Sequence, residues 1–127
     1  MPFKIVVAEN DEAFCYVLQR ALTTAGYTVE AYVSTTEAWG AVAEGATLDL
    51  LVTDVMFQSG EPTGLALARN AQFNHPGLPV IFFTGYSDVF DLDGTEPEFL
   101  IQKPFEIATL LAMVGKAFPT INQRKPG

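Results

Sequence analysis

One cysteine, one histidine and seven basic residues in 127 set the first limits on this chain. With Cys15 alone there can be no intrachain disulfide and no thiolate metal cluster. His75 sits in a Pro/Gly turn with no second ligand candidate near it in sequence. The basic residues (Lys4, Arg20, Arg69, Lys103, Lys116, Arg124, Lys125) are scattered among fifteen acidic ones, and the net charge is −8. Direct contact with nucleic acid needs a basic surface, so none is expected. No apolar stretch approaches the ~20 residues of a membrane span. Only four apolar residues separate Lys4 from Glu9, which is not a signal-peptide layout. These absences predict a cytoplasmic domain without membrane contact.

What is present is apolar material in short runs. Hydrophobic residues make up 49% of the chain, and its length suits one core of ~100–150 residues. Strand-like and helix-period segments alternate. Phe3–Ala8 reads as a strand, then Phe14, Val17, Leu18, Ala21, Leu22 and Ala25 recur on one helix face until Gly26. Thr28–Tyr32 is a second strand, and Ser34 with Glu37 suggests a capping box opening a helix to about Gly45. A strand from Leu48 to Asp54 is followed by a Gly/Pro-rich loop and a helix from Leu65 to about Gln72. Pro79–Phe83 and Phe99–Gln102 are further strands. A last helix buries Ile107, Leu110, Leu111, Val114 and Phe118 and ends at Pro119. The first, third and fourth strands are nearly unbroken apolar runs, as in a parallel sheet covered on both faces. The pattern predicts a doubly wound α/β domain with a five-stranded parallel sheet and helices on both faces. Between Tyr86 and Pro97 there is room only for a short or irregular fourth helix. Residues 1–119 form the expected domain and 120–127 a flexible tail.

Four strands end at reactive side chains: Glu9-Asn10-Asp11, Asp54, Thr84 and Lys103. In an open parallel sheet these ends share one edge, where ligands bind. Magnesium takes one or two carboxylates and keeps several waters, so Glu9 and Asp54 with the Asn10 carbonyl suit it. Such an ion would offset the repulsion between Asp54 and a phosphoryl group. Asp54 would then act as nucleophile, with Lys103 as a point charge and Thr84 as a donor to the phosphoryl oxygens. Taken singly, each residue has a plainer role: Asp54 as a turn residue or cap, Glu9 to Glu12 as an acidic first helical turn, Lys103 as a solvated charge.

The ordered set Ile5-Val6-Val7-Ala8-Glu9-Asn10-Asp11-Glu12, the Asp54 strand, Pro79-Val80-Ile81-Phe82-Phe83-Thr84-Gly85 and Lys103-Pro104-Phe105 resembles the response-regulator receiver domain of two-component signalling. The likeness covers about residues 3–118. It implies a flavodoxin-like strand order 2-1-3-4-5 and phosphoryl transfer from a partner's phosphohistidine to Asp54. The partner would be a sensor histidine kinase or a histidine phosphotransfer protein. It also implies a magnesium site of Glu9, Asn10, Asp54 and the Met56 backbone carbonyl, with Thr84 as switch hydroxyl and Lys103 as the phosphate-contacting lysine. Signals would leave by protein contact or phosphorelay, from a stand-alone receiver or one cut from a longer hybrid kinase. An acidic stretch from Asp88 to Glu98 lies near the face such domains use for partners.

The chain departs from the family pattern in several places. Asn10 replaces the usual second acidic metal ligand, and Asp11 could stand in only by giving up a helix cap. Leu100 stands where many members carry an aromatic, and Phe99 should face the other way. The loop from Val55 to Gly64 is longer than usual and lacks the common proline. These differences motivate a second reading, a phosphorylation-independent pseudo-receiver that binds proteins. Enzyme readings fit less well. A flavodoxin would want a Ser/Thr/Gly-rich phosphate loop where Glu9-Asn10-Asp11-Glu12 stands. A haloacid-dehalogenase phosphatase would want Asp-x-Asp there.

Overall fold

Three apolar runs form the centre of the sheet in the computed structural model, which describes residues 3–85 and 99–124, the last seven as backbone alone. Lys4–Ala8 (β1), Leu50–Asp54 (β3) and Val80–Thr84 (β4) lie between Thr28–Tyr32 (β2) and Phe99–Gln102 (β5). All neighbours pair in parallel, in the order β2-β1-β3-β4-β5. Every residue of β3 and β4 is buried, which is why those strands read as unbroken apolar runs.

Side chains alternate between two cores, one on each sheet face. Ile5, Val7, Leu50, Val52, Ile81 and Phe83 pack with Leu18 and Leu22 of Glu12–Thr24 (α1) and with Leu110 and Val114 of Ile107–Arg124 (α4). Val6, Ala8, Leu51 and Phe82 pack on the other face with Ala38 and Val42 and with Leu67, Ala68 and Ala71 of Gly64–Asn74 (α3). Phe99 belongs to the first core and Leu100 to the second, as strand alternation requires.

Local chemistry sets the boundaries. Asp11 Oδ1 accepts the Phe14 N–H and caps α1, and Gly26 leaves the helix at φ 106°, where a side chain would be strained. Val17, placed by its spacing on the buried face, is 45% exposed, and the buried stripe is Cys15, Leu18 and Leu22. Ser34 Oγ accepts the Glu37 N–H as expected of a cap. The helix it opens (α2) is short, Thr35–Ala38, and tightens into a 3-10 turn over Trp39–Val42 instead of continuing to Gly45. Val42 still reaches the core from that turn, and the Val42 and Ala43 carbonyls accept from Asn74 Nδ2 and bond His75 Nε2. Thr63 Oγ1 caps α3 through the Ala66 N–H, starting it a residue earlier than the pattern suggested. The last helix also differs: α4 runs through Pro119 to Arg124. A proline removes one helical bond and crowds the carbonyl four residues back, but it need not end a helix whose preceding turns are packed. The short fourth helix and the acidic Asp88–Glu98 stretch lie outside the described residues, as do the side chain of Phe118 and residues 125–127.

Candidate functional site

Parallel register brings the strand ends together. Ala8 pairs with Thr53, Asp54 with Phe83, and Thr84 with Gln102, so the residues that follow emerge along one edge. At its centre, Lys103 Nζ donates to Glu9 Oε1 at 2.7 Å and to Asp54 Oδ2 at 2.9 Å. The pair uses one oxygen of Asp54. Glu9 has both oxygens engaged, because Oε2 accepts the Asp11 N–H at 2.9 Å.

These charges are largely removed from water. Glu9 is fully buried and Asp54 is 8% exposed. Burial pushes the Glu9 carboxyl above its ordinary 4.5, against the lowering effect of its bonds from Lys103 and Asp11. Burial alone would lower Lys103, but the Glu9 and Asp54 carboxylates more than compensate and hold it above 10.5. The lysine therefore stays charged between two acids.

An aromatic group supports it. Lys103 Nζ lies 5.5 Å from the centre of the Phe14 ring, within cation–π range. Phe14 in turn meets Phe105 at 5.4 Å, and Phe105 meets the fully buried Phe83 at 4.9 Å. The Lys103 N–H donates to the Thr84 carbonyl at 2.7 Å, which ties the lysine backbone to the end of β4, and the Lys103–Pro104 bond is cis. Phe105 stands in the Lys103-Pro104-Phe105 motif, whereas Phe14 carries no signal in the sequence beyond its place on the apolar face of α1.

The backbone of Asp54 is fixed from several directions. Thr53 Oγ1 donates to the Asp54 carbonyl at 2.9 Å, and the Val55 N–H donates to the Phe83 carbonyl at 3.0 Å. Gly64 closes the loop, donating its N–H to the Val55 carbonyl at 2.8 Å. A Cβ on Gly64 would sit 1.7 Å from the Asp54 carbonyl oxygen, so only glycine fits. Composition marked this loop as Gly/Pro-rich without showing which glycine mattered.

The remaining predicted residues are placed as follows. Thr84 ends β4 and is buried at 4% exposure. Asn10 is exposed beside Glu9, and Met56 is exposed two residues beyond Asp54. Asp11 is used as the α1 cap, so it does not take over from Asn10. Among the described residues no group of three or more His, Cys, Asp or Glu could hold a metal. Magnesium does not need one, since it accepts one or two carboxylates with water and neutral oxygens. Glu9 and Asp54, both bonded to one ammonium beside Asn10, fit such an ion by ligand type.

A buried carboxylate with an ammonium at its side and a hydroxyl residue on the next strand is an arrangement for receiving a phosphoryl group. Comparison with known proteins supplies the family. Residues 5–115 match the family model for the response regulator receiver domain. The chain belongs to the response regulator receiver family. This receiver is 33% identical over 117 residues to the DNA-binding transcriptional regulator NtrC of Salmonella typhimurium, matching 87% of the chain but 24% of that protein. It thus spans about a quarter of NtrC's length. It is 31% identical over 116 residues to the response regulator receiver protein CpdR of Brucella abortus, covering 89% of this chain and 94% of that one. Among solved structures, a response regulator receiver protein from Sinorhizobium medicae superposes with a TM-score of 0.83 at 27% identity, covering 98% of both chains. Receivers of this family serve two-component signalling.

Proposed function

We propose that this receiver accepts a phosphoryl group on Asp54 from the phosphohistidine of a sensor kinase or histidine phosphotransfer protein. The observation that carries the reading is Lys103 Nζ bonded at once to Glu9 and Asp54, with one Asp54 oxygen outside that bond. An Asp54 carboxylate oxygen attacks phosphorus as the phosphorus–nitrogen bond to histidine breaks. The histidine nitrogen keeps the bonding pair, and Asp54 becomes an acyl phosphate. Lys103 meets the negative charge gathering on the phosphoryl oxygens, and Thr84 supplies a hydroxyl on the adjacent strand. Glu9, Asn10, Asp54 and the Met56 carbonyl would hold magnesium, whose charge offsets the repulsion between carboxylate and phosphate. The protein is a switch rather than a turnover enzyme, passing its state on by protein contact or phosphorelay. No described helix is long and apolar enough to cross a membrane, and we place the activity in the cytoplasm.

A second reading, a pseudo-receiver that binds partners without phosphorylation, is favoured by one feature. Asn10 brings no charge to the site, and Asp11 is committed to its cap. Intact mass after incubation with acetyl phosphate separates the two. A magnesium-dependent adduct of one phosphoryl group, absent in Asp54→Asn, is the expected result. An unmodified wild type in saturating magnesium would leave the pseudo-receiver.

A further inference from the structure

A residue outside the loop that follows Asp54 fastens it down. Thr35, the first residue of α2, is fully buried, and its Oγ1 donates to the Pro62 carbonyl at 2.6 Å. The same hydroxyl lies 3.5 Å from Glu61 Oε1. With a single proton to give, it commits that proton to the shorter contact. Two residues past Pro62, Gly64 presses on the Asp54 carbonyl and donates to Val55. Thr63, between them, caps α3. A continuous path of short contacts therefore runs from α2, through Pro62 and Gly64, to the backbone of the acceptor residue.

We propose that Thr35 is a positioning residue: its buried hydroxyl sets where the loop re-enters at Gly64 and so fixes Asp54 against Lys103. The consequence for phosphoryl transfer rests on the acceptor reading of Asp54, while the positioning itself does not. Physically, Thr35→Val keeps the shape but leaves the Pro62 carbonyl without its donor, and a partly buried carbonyl unpaired in that way favours any loop position that reaches water. Thr35→Ser keeps the hydroxyl and loses a methyl group. The loop from Met56 to Glu61 makes few other fixed bonds: among those present, the Glu61 N–H donates to the Gln58 carbonyl inside the loop itself.

The test follows the Asp54 side-chain carboxyl carbon by NMR, together with amide exchange at Gly64, in the full chain. In Thr35→Val the Asp54 resonance should move and Gly64 exchange should quicken about tenfold, the effect of losing one hydrogen bond. Exchange at Val52 and Leu18 should stay as in wild type, and Thr35→Ser should restore both signals. Thr35→Ala, which leaves room for a water, serves if the valine variant does not fold, with changes expected in the same direction. An Asp54 resonance unmoved by loss of the hydroxyl, or exchange quickened uniformly across the sheet, would overturn the proposal by reducing Thr35 to a packing residue. Acetyl phosphate then reads the consequence: adduct formation should slow several-fold in Thr35→Val and recover in Thr35→Ser. If wild type itself forms no adduct, the acceptor reading fails, and the resonance and exchange still decide the role of Thr35.

Discussion

Gly64 and Asp54 meet backbone to backbone, so closely that a Cβ on the glycine would stand 1.7 Å from the aspartate carbonyl oxygen. Ten residues apart in sequence, they are the two ends of the loop that follows β3, and the Gly64 N–H donation to Val55 closes it. The contact explains why α3 opens on a helix-poor residue: no other side chain lets the helix start this near the strand end.

Gly64→Ala should therefore be costly even though alanine is the better helix former. Overpacking of this kind costs about 1–3 kcal/mol, because neither neighbouring backbone can yield cheaply. Urea unfolding of the variant should show a lowered midpoint with an unchanged slope. A midpoint equal to wild type would mean that the two backbones part freely.

Lys103 is the counter-ion of two buried acids, and its removal leaves them facing each other. Lys103→Met should destabilise the fold at neutral pH by about 3 kcal/mol, the lower range for breaking a buried pair, since the lysine is partly exposed. The variant should also lose phosphoryl uptake from acetyl phosphate. Stability and uptake can be compared in one preparation by urea melts and intact mass.

The pH dependence has two parts with defined signs. Lys103 titrates above 10.5 in the fold, so its stabilisation is complete below the unfolded value and is lost as pH rises through the folded one. The gap between wild type and Lys103→Met should hold through neutrality and close only above pH 10.5. Glu9 also titrates above its ordinary 4.5, but as an acid: the fold binds its proton more tightly than the unfolded chain does. Its contribution is greatest below 4.5 and falls as pH rises through the folded value, so wild type should lose stability relative to Glu9→Gln over that interval. Urea midpoints from acid to alkaline pH would check both slopes.

Asn10 is exposed beside Glu9 and adds no charge. Asn10→Asp should tighten magnesium binding by about tenfold, because affinity of hard-cation sites follows the number of charged ligands. Titration of intrinsic fluorescence with magnesium would measure it. Equal affinity in the two proteins would place the ion away from residue 10.

Much of this was legible in the chain itself. Unbroken apolar runs ending at Glu9, Asp54 and Thr84 required a sheet covered on both faces, and parallel winding required those ends to share an edge. The alternation of Phe99 and Leu100 between opposite cores follows from strand geometry alone. Other features depended on contacts distant in sequence. Helix period could not show that Val17 would stay in solvent, that α2 would tighten at Trp39, or that α4 would pass Pro119, since packing decides each of these.

The sequence by itself determined the sheet, its two cores and the identity of the acidic and basic groups on its edge, because strand and helix periods are local and read directly from residue order. Tertiary structure alone decided how those groups are paired. That Lys103 bridges Glu9 and Asp54, that Phe14 lies beside the lysine, and that Thr35 reaches Pro62 are outcomes of distance. Hydrogen bonds and ion pairs act over a few ångströms, and only the folded chain brings residues 27, 49 or 94 positions apart within that range.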